Sequence, residues 1–345
     1  MNFRIGNLKI GDNSPPVIIS ELGINHNGNL DIAIAIADSA IKSGAQIIKH
    51  QTHIPDDEMS IEAKKIVPAH TKQSIYQIIK KCSLNENDEK KLMNYIKSKK
   101  RIFISTPFSR KAVDRLIKFN IPAFKIGSGE CNNHHFVEYI CKFKKPIIMS
   151  TGMNTIKSIR KSVSVIRKYK IPYALLHCVN LYPTPPEFMK IESVKEIKQA
   201  YPDAVVGLSD HTENIYSSLG SISLGARIIE KHYVDSKIIR KGPDISSSMD
   251  SAELKQLIIG SKTIYASLGK GKFPNKKEKN TSNFAFQSVV SICDIKKNDL
   301  FSQSNIYLRR PGNGDFSVNS LSSLYGKKAI RDIKNNHQIK KKDVK

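Results

Sequence analysis

Two apolar runs of this chain end on side chains that can do chemistry. The first run closes at Leu208 and is followed by Ser209 and His211, and a second run further along ends in Glu230 and His232. A buried strand has no packing reason to finish on hydroxyl, carboxylate and imidazole groups, because such groups are seldom buried without partners. The recurrence of the pattern indicates that both strand ends contribute to one site.

The two histidines are candidates for a metal site. Consecutive strands of a parallel sheet lie ~4.8 Å apart, and imidazole nitrogens bind metal ions at ~2.0–2.2 Å, so His211 and His232 could hold one ion between them. Two protein ligands leave coordination positions for a substrate, as a Lewis acid requires. A structural zinc site is disfavoured, because no nearby cysteine and no third histidine stands at a fixed spacing. The sequence therefore predicts a catalytic metal site, with two independent loop-capping histidines as the alternative.

Short apolar runs alternate with segments of amphipathic helical spacing, such as 30–45 and 150–170. The runs occupy residues 17–22, 46–51, 101–107, 123–128, 146–151, 173–178, 204–210 and 227–233. Strands that are apolar on both faces and alternate with helices predict a parallel sheet, and eight such units close most simply into a (β/α)8 barrel. The long gap between the second and third runs predicts an extra loop over the barrel mouth.

Polar residues close all of the predicted strands, at the end where barrel enzymes carry out their chemistry. They are Glu21, Lys49, Gln51, Thr106, Lys125, Ser128, Glu130, Ser150, Thr151, His177, Asn180, Ser209, His211, Glu230 and His232. Any one of them could be a hydrogen-bonded residue at a strand terminus. Their occurrence at every strand end together indicates an enzyme.

Two lysines at the strand ends, Lys49 and Lys125, limit the kinds of substrate and reaction that the site could serve. An unpaired lysine inside an apolar barrel would be costly, so Lys49 and Lys125 each predict an anionic partner such as a carboxylate or phosphate. A Schiff-base amine with a lowered pKa is the alternative. The stretch KIGSGECNN (125–133) places a small, flexible turn beside Ser128, whose backbone N–H groups could face a phosphate.

A composition change divides the chain into a barrel domain (1–268), a linker (269–283) and a small strand-containing domain (284–345). The linker is rich in Lys, Asn and Gly and poor in apolar residues. A domain of about sixty residues is marginally stable alone. We therefore expect the small domain to pack on another surface.

The formal net charge of +25 raises the question of nucleic-acid binding. The surplus is mostly Lys spread along the chain, and no zinc-finger, RNA-recognition or helix-turn-helix pattern is present. No signal peptide and no apolar run of ~18 residues occurs, and the five cysteines lack CxxC spacing. The composition predicts a cytoplasmic protein with reduced thiols that binds neither nucleic acid nor membranes.

Longer stretches resemble N-acetylneuraminate (sialic acid) synthases over essentially the whole chain. The matching stretches are SELGINHNG (20–28), IIKHQTHIPDDEMS (47–60), FISTPFSR (103–110), FKIGSGECNN (124–133), STGMN (150–154), LYPTP (181–185), GLSDHT (207–212), GPDISSSM (242–249) and RRPGNGDFSV (309–318). Several of them are long and chemically unusual, so the resemblance is more specific than any single motif.

The resemblance implies a TIM barrel followed by an antifreeze-protein-like (SAF) domain, which reaches over the partner's active site in a domain-swapped homodimer. It implies the condensation of phosphoenolpyruvate with N-acetylmannosamine, with release of phosphate, in sialic acid biosynthesis. It also implies a divalent cation, with Mn²⁺ expected first and Mg²⁺ or Co²⁺ as alternatives.

By motif, the resemblance implies His211 and His232 as the metal ligands. The implied phosphoenolpyruvate cradle comprises Lys49, Lys125, Thr106, Ser128, Ser150, Asn180 and Ser209. The residues implied for the sugar and for proton transfer are Glu21, Glu130, Tyr182, Asp244 and, from the other subunit, Arg310. Gln51 is a further predicted substrate-binding residue, and Glu21, Glu130, Lys49 and Lys125 are the predicted catalytic set. The family commonly has Asn where His70 stands.

Three alternatives remain at this point. A legionaminic or pseudaminic acid synthase would share the fold, metal and mechanism but bind a 2,4-diacetamido hexose. A Schiff-base aldolase would use Lys125 or Lys49 and would have no need for the paired histidines. A polyanion-binding protein with a degenerate barrel would show no turnover and a steep dependence of binding on salt.

Overall fold

The computed structural model describes residues 2–67 and 73–345. His70 lies outside the described residues. The chain divides into two compact units, Met1–Leu268 and Gly269–Lys345, which are described in turn.

The first unit is a closed barrel of parallel strands, as the sequence predicts. The strands are β3 (Val17–Glu21), β4 (Ile47–Thr52), β5 (Ile102–Pro107), β6 (Phe124–Ile126), β7 (Ile147–Ser150), β8 (Tyr173–Cys178), β9 (Val205–Asp210) and β10 (Ile228–His232). In the described residues, the hydrogen-bonded order round the barrel is β10-β3-β4-β5-β6-β7-β8-β9. Each strand begins within one residue of the start of a predicted apolar run, so the predicted (β/α)8 class is confirmed.

Helices surround the barrel. They are α1 (Leu30–Lys42), α2 (Pro55–Glu58), α3 (Ile75–Cys82), α4 (Glu86–Ser98), α5 (Arg110–Lys118), α6 (His134–Cys141), α7 (Arg160–Lys168), α8 (Pro186–Met189), α9 (Ser193–Ala200), α10 (Tyr216–Ser223) and α11 (Ser251–Ser267), with 3-10 turns at Ile61–Lys64 and Ile245–Ser247. The segment 150–170, predicted to be helical, is helical only in α7. Before α7, Thr155 and Ser158 exchange side-chain and backbone hydrogen bonds, and this local turn competes with the helix.

Strand alternation decides which side chains enter the barrel. On β4, Ile47 packs with the residues of the barrel interior, whereas Ile48 packs with the helices outside. The period of two continues along the strand, so Lys49 and Gln51 lie on the interior side above Ile47. The same alternation on the other strands places an apolar floor below a polar upper layer.

An N-terminal hairpin closes the floor of the barrel, a feature that the sequence analysis did not predict. Strands β1 (Asn2–Ile5) and β2 (Leu8–Gly11) pair antiparallel. Their side chains Phe3, Ile5 and Ile10 join the apolar cluster of the barrel interior. The open mouth is therefore at the other end, where the strands finish.

The segment 53–82 (the mouth segment) lies between β4 and α4, where the sequence predicts a loop over the barrel mouth. Its described part carries α2, a 3-10 turn and α3. Met59, Ala63, Ile75 and Ile79 from this segment line the cavity at the mouth. The prediction of an element over the mouth is therefore confirmed for the described residues.

The second unit contains α12 (Lys279–Ala285), β11 (Ser288–Ser291), β12 (Ile306–Arg309) and α13 (Leu321–Leu324), with 3-10 turns at Lys276–Glu278, Val318–Ser320 and Lys341–Asp343. β11 and β12 pair antiparallel. A small core forms around Val289, Phe301 and Ile306. The predicted linker (269–283) is partly ordered, because Asn275 caps a turn that continues into α12.

Among the described residues, no helix combines the length and the apolar character that crossing a bilayer requires.

We expect Ile10→Ala to destabilise the barrel unit by roughly 2–5 kcal/mol, because Ile10 is 0% exposed and truncation of a buried isoleucine leaves a cavity. The free energy of unfolding of this unit, from denaturant titration, measures the change. Ile239→Ala is the matched control, since Ile239 is 74% exposed. Equal losses in the two variants would contradict a role of the hairpin in closing the core.

Candidate active site

A cavity of about 870 Å³ opens at the C-terminal ends of the barrel strands. Its lining includes the predicted site residues Lys49, Gln51, Thr106, Lys125, Ser128, Glu130, Ser150, Asn180, Tyr182, Ser209, His211, His232 and Asp244. Glu21 lies beneath this surface and is 1% exposed. Arg310 belongs to the second unit, where its Nε donates to Ala285 O. The barrel therefore gathers most of the predicted residues of its own unit at one cavity. Two predicted strand-end residues do not line it, because Thr151 Oγ1 donates to Leu176 O and His177 Nε2 lies 2.7 Å from Met189 O.

Four charged side chains form a buried cluster at the base of this cavity, here called the lumen ion cluster: Glu21, Lys49, Lys125 and Glu230. Lys49 Nζ lies 2.5 Å from Glu21 Oε2 and 3.7 Å from Glu230 Oε1. Lys125 Nζ also lies 3.7 Å from Glu230 Oε1. Glu230 thus stands between the two ammonium groups, a role that the sequence analysis did not assign to it.

The two lysines differ in their electrostatic environment. Burial lowers the pKa of Lys49, but the carboxylates of Glu21 and Glu230 outweigh it and raise that pKa above its usual range. Burial lowers the pKa of Lys125, and only Glu230 opposes it strongly, so the pKa of Lys125 stays below its usual range. Burial would raise the pKa of Glu230, but the two ammonium groups bring it below its usual range. The two carboxylates therefore compensate the charge of Lys49 fully. The charge of Lys125 is compensated less, so Lys125 would respond more strongly to a bound anion.

Hydroxyl groups form hydrogen bonds with the charged side chains of the cluster. Lys49 Nζ donates to Thr106 Oγ1 at 3.1 Å, and Lys125 Nζ donates to Ser150 Oγ at 2.7 Å. Ser209 Oγ donates to Glu230 Oε1 at 3.1 Å. These hydroxyls hold the buried charges in position, because a buried charge is stable only when it is paired and hydrogen bonded.

The turn after β6 meets the turn after β7 at the side of the cavity. Ser128 Oγ accepts from the backbone N–H of Gly152 at 3.0 Å. Gly152 allows a close approach here, because an added Cβ would lie 1.9 Å from Asn180 Oδ1 and 2.8 Å from Ser128 Oγ and would displace these side chains. The close approach brings Ser128, Gly152 and Asn180 into one small polar wall.

His211 and His232 stand side by side, as the sequence predicts. Their ring centroids are 5.5 Å apart. Tyr182 stacks on His211 at 4.1 Å and meets His232 edge-on at 5.9 Å. Asp244 Oδ2 lies 3.5 Å from His232 Nδ1. Both imidazoles therefore face a shared space bounded by an aromatic ring and a carboxylate.

The hydrogen bonds of the two histidines fit a metal ion. His211 Nδ1 is 2.7 Å from Val179 O, so this nitrogen carries the proton and Nε2 keeps its lone pair for a ligand. The buried His232 Nδ1 has no hydrogen-bond partner in the described part of the chain. In that same part, no group of three or more His, Cys, Asp or Glu side chains could hold a metal ion. The donor set fits a two-imidazole site that substrate or water would complete.

A buried ion pair outside the barrel fixes the loop that carries His211. Asp210 Oδ1 accepts from Thr212 N and Oγ1, both at 2.8 Å. Lys231 Nζ lies 3.5 Å from Asp210 Oδ2 and donates to Thr212 O. Asp210 and Lys231 alternate with the residues that point into the barrel, so they contact the turn that carries His211 from the outer side of the barrel.

Glu130 has an environment that suits proton transfer. Its Oε2 is buried and has no hydrogen-bond partner among the described residues. Burial, with a smaller contribution from Glu58, raises the pKa of Glu130 to about 7. A carboxyl group that exchanges its proton near neutral pH can serve as a general acid or base.

The mouth segment contributes cavity-lining polar residues that the sequence analysis missed. His53 and Glu58 line the cavity beside Gln51, together with Phe108 from the turn after β5. His53 follows β4, whose polar end was already predicted, so its position two residues after Gln51 was the available signal. The apolar lining of this side comes from Ile24, Met59, Ala63, Ile75 and Ile79.

Comparison with known proteins identifies a shared family. The profile of the NeuB family matches residues 36–273, and the profile of the SAF domain matches residues 286–345. The C-terminal match agrees with the antifreeze-protein-like domain that the resemblance implies.

The chain is similar to proteins named as synthases over most of its length. It is 35% identical to the N,N'-diacetyllegionaminic acid synthase of Campylobacter jejuni, over 94% of this chain and 98% of that protein. It is 32% identical to a pseudaminic acid synthase of the same species, over 94% of this chain and 96% of that protein. The crystal structure of an N-acetylneuraminic acid synthetase from Leptospira borgpetersenii superposes with a TM-score of 0.74 at 28% identity, covering 81% of this chain and 95% of that one.

We expect Glu130→Gln to change the pH dependence of stability. The folded-state pKa of about 7 lies above the ordinary value of 4.5, so stability is fully present below the ordinary value and is lost as the pH rises through 7. The loss in the unaltered protein should reach about 3 kcal/mol. The Glu130→Gln variant cannot show this loss, because an amide does not ionise.

Denaturant titrations of both proteins from about pH 5 to about pH 8 measure the difference. Glu192→Gln, at an exposed position, is the control and should leave the pH dependence unchanged. A constant difference between Glu130→Gln and the unaltered protein would rule out the raised pKa.

Proposed function

Because this chain belongs to the NeuB family, we propose that it is an N-acetylneuraminate synthase. The reaction condenses phosphoenolpyruvate with N-acetylmannosamine and water to give N-acetylneuraminate and phosphate, for sialic acid biosynthesis. One observation carries the proposal: a pair of buried lysines lies at the base of a cavity whose wall holds two adjacent imidazoles. This arrangement suits an anionic enol phosphate held beside an activated aldehyde.

Phosphoenolpyruvate would bind at the base of the cavity. Lys49 and Lys125 supply positive charge, and Lys125, whose pKa is lowered by burial, gains most from a substrate anion. The hydroxyls that already contact the lumen ion cluster would turn to the phosphate and carboxylate; they belong to Thr106, Ser150 and Ser209. Ser128 and Asn180 complete the cradle at the side. Binding energy from these groups would hold carbon 3 in attacking geometry.

The acceptor aldehyde would lie between His211 and His232. These imidazoles would hold a divalent cation, with Mn²⁺ proposed first and Mg²⁺ or Co²⁺ as alternatives. When bound, the cation supplies Lewis-acid polarisation of the aldehyde oxygen. Tyr182 and Asp244 flank the two rings and would orient the sugar.

The carbon–carbon bond would form when carbon 3 of phosphoenolpyruvate attacks the aldehyde carbon, which leaves positive charge at carbon 2. Glu21 is buried at the base of the cavity with its carboxylate beside Lys49. A fixed carboxylate in a water-poor site stabilises a developing cation strongly. Glu21 would therefore stabilise carbon 2 while the enol phosphate is consumed.

Water would then add to carbon 2 with Glu130 as the proton acceptor. The pKa of about 7 leaves a substantial deprotonated fraction at neutral pH, and the unpartnered Oε2 is available to accept a proton. The tetrahedral intermediate collapses when the bond from carbon 2 to the phosphate oxygen breaks: its hydroxyl group becomes the carbonyl group, and phosphate leaves with the hydroxyl proton. The proton taken up by Glu130 would pass to the alkoxide that the attack leaves on the former aldehyde carbon.

A legionaminic or pseudaminic acid synthase is the second candidate. Relatives of over 30% identity carry these names. The apolar wall from Met59, Ala63, Ile75 and Ile79 could pack against the methyl group of a second acetamido substituent, where N-acetylmannosamine has a hydroxyl. The fold, the lumen ion cluster and the imidazole pair would serve both reactions.

A domain-swapped homodimer, with Arg310 of the partner subunit at the N-acetyl group, stays a prediction from the family resemblance.

We expect phosphate release from phosphoenolpyruvate only when an amino-sugar acceptor is present. N-acetylmannosamine and a 2,4-diacetamido hexose, assayed in parallel, decide between the two candidates, because the acceptor with the higher kcat/KM makes better contacts in the transition state. No release with either sugar, or equal release without any sugar, would contradict a condensing synthase.

Borohydride trapping with pyruvate should label no lysine, whereas a labelled Lys125 or Lys49 would favour an aldolase.

We expect EDTA to abolish phosphate release and added Mn²⁺ to restore it. His211→Asn and His232→Asn should each weaken Mn²⁺ binding by more than about tenfold, because each removes one of two protein ligands. Isothermal titration of the substrate-free protein with Mn²⁺ measures the binding. His135→Asn, at an exposed position, is the control, and normal Mn²⁺ affinity in the two ligand variants would exclude the paired-imidazole site.

A further inference from the structure

A chain of three side chains runs along the cavity wall from the mouth segment to Gln51. His53 Nδ1 lies 2.9 Å from Glu58 Oε2 and 3.1 Å from Glu58 Oε1. His53 Nε2 lies 3.1 Å from Gln51 Oε1. Both ring nitrogens of His53 are therefore engaged, one by a carboxylate and the other by an amide.

The position of Gln51 places this chain beside the acceptor rather than beside phosphoenolpyruvate. Gln51 and Lys49 point to the same side of β4, and a strand rises by roughly 6.6 Å over two residues. Gln51 therefore lies one layer above the lumen ion cluster, toward the mouth. Its amide borders the part of the cavity into which the sugar would extend.

The hydrogen-bond pattern around His53 indicates which of its ring nitrogens carry a proton. An ionised carboxylate only accepts hydrogen bonds, so Nδ1 must donate to Glu58. The amide oxygen Oε1 also only accepts, so Nε2 must donate to Gln51. An imidazole that donates from both nitrogens is an imidazolium, and in this arrangement Glu58 would be its counter-ion.

Packing holds this chain in one arrangement. The ring of His53 stacks on Phe108 with the centroids 4.2 Å apart and an interplanar angle of 9°. His53 is 5% exposed. Glu58 ends the short helix α2, whose Asp57 accepts from the backbone N–H of Lys111 at 3.2 Å. The ring plane and the carboxylate are thus both restrained by neighbouring elements.

We propose that the Glu58–His53 pair sets the orientation of the Gln51 amide, so that its NH₂ group faces the acceptor sugar as a hydrogen-bond donor. This inference rests on the proposed function, which it deepens. The donor recognises an oxygen on the sugar, either a hydroxyl or an acetamido carbonyl. Glu58 and His53 are positioning residues, because they act on the sugar through Gln51.

The opposite orientation of the Gln51 amide would require a neutral His53 ring. If His53 were neutral, with its proton on Nδ1, then Nε2 would accept from the amide NH₂ group and the amide oxygen would face the sugar. Gln51→Glu separates the two cases. A carboxylate still accepts from an imidazolium but presents no donor to the sugar.

Kinetics of Gln51→Glu with the preferred acceptor are the first test. We expect the KM of the acceptor to rise at least about tenfold, as loss of a hydrogen bond within a polar site does, and the KM of phosphoenolpyruvate to change less than about twofold. An acceptor KM within about twofold of the unaltered protein would overturn the proposed orientation.

Two substitutions of His53 form a matched pair. His53→Gln retains an N–H donor near the position of Nε2 and should keep the acceptor KM within about threefold. His53→Leu removes the donor and should raise the acceptor KM about tenfold or more. Equal effects of the two variants would indicate a packing role only and would overturn the proposal.

Glu58→Gln removes the counter-ion, and Glu62→Gln is its control. Glu62 lies on the same segment, is exposed and accepts a hydrogen bond from Ser60, but it does not line the cavity. We expect a higher acceptor KM in Glu58→Gln only. An unchanged KM there, or the same rise in both variants, would contradict the role of Glu58.

The ring state of His53 can be read without turnover. Nitrogen-15 NMR of the substrate-free full-length protein, with the His53 signals identified from their absence in His53→Gln, should show both ring nitrogens protonated in the unaltered protein and one in Glu58→Gln. A neutral ring in the unaltered protein would overturn the proposal. Absence of phosphate release with either sugar would instead overturn the proposed function, because the ring state is measured without substrate.

Discussion

The burial of two lysines and two glutamates inside an apolar barrel is the constraint on which the site depends. Isolated charges would not tolerate this environment, so the four must lie close enough to neutralise one another. Glu230 meets this demand by lying 3.7 Å from both ammonium groups, and Glu21 binds Lys49 from the other side. The lumen ion cluster thus pairs two lysines with two glutamates. An incoming phosphate and carboxylate would therefore compete with Glu21 and Glu230 for the lysines rather than meet free cations.

The barrel supplies the rigidity that this arrangement needs. The alternation that puts Ile47 into the floor also puts Lys49 above it, and the same period brings Glu230 above Ile228 on β10. The N-terminal hairpin seals the floor with Phe3, Ile5 and Ile10, which keeps water away from the base of the cavity. A low-dielectric floor strengthens every interaction of the charges above it.

The mouth of the cavity is built from different elements than its base. The residues at the base stand on strands, whereas the cavity near the mouth is lined largely by described residues of the mouth segment and by the loops that carry Tyr182 and Asp244. Side chains on strands are held by the sheet, whereas loops can vary without disturbing the core. The hydrogen-bond chain through His53 links the two regions, since it connects Glu58 on the mouth segment to Gln51 on β4.

Most of the site could be predicted from the sequence because strand periodicity is a local property. The eight apolar runs fixed the barrel, and the polar residue at each strand end fixed a candidate for the upper layer. The pairing of His211 with His232 followed from consecutive strands, and their ring separation of 5.5 Å agrees with it. The specific acceptor did not follow, because it depends on the loops.

Other features depended on contacts between residues far apart in the chain. The sequence did not reveal that Glu230 bridges Lys49 and Lys125, because that contact joins strands distant in sequence and is set by the closure of the barrel. It did not reveal that the N-terminal hairpin, in which Phe3 and Ile5 alternate with polar residues, packs under the barrel floor, because that contact forms only in the closed barrel. It could not distinguish the two lysines, since their pKa values are shifted in opposite directions by neighbours brought together only on folding. Residue types and their spacing thus determined which groups reach the barrel mouth, whereas the closed tertiary structure decided which of them touch, because electrostatic and hydrogen-bond partners are chosen by distance in space.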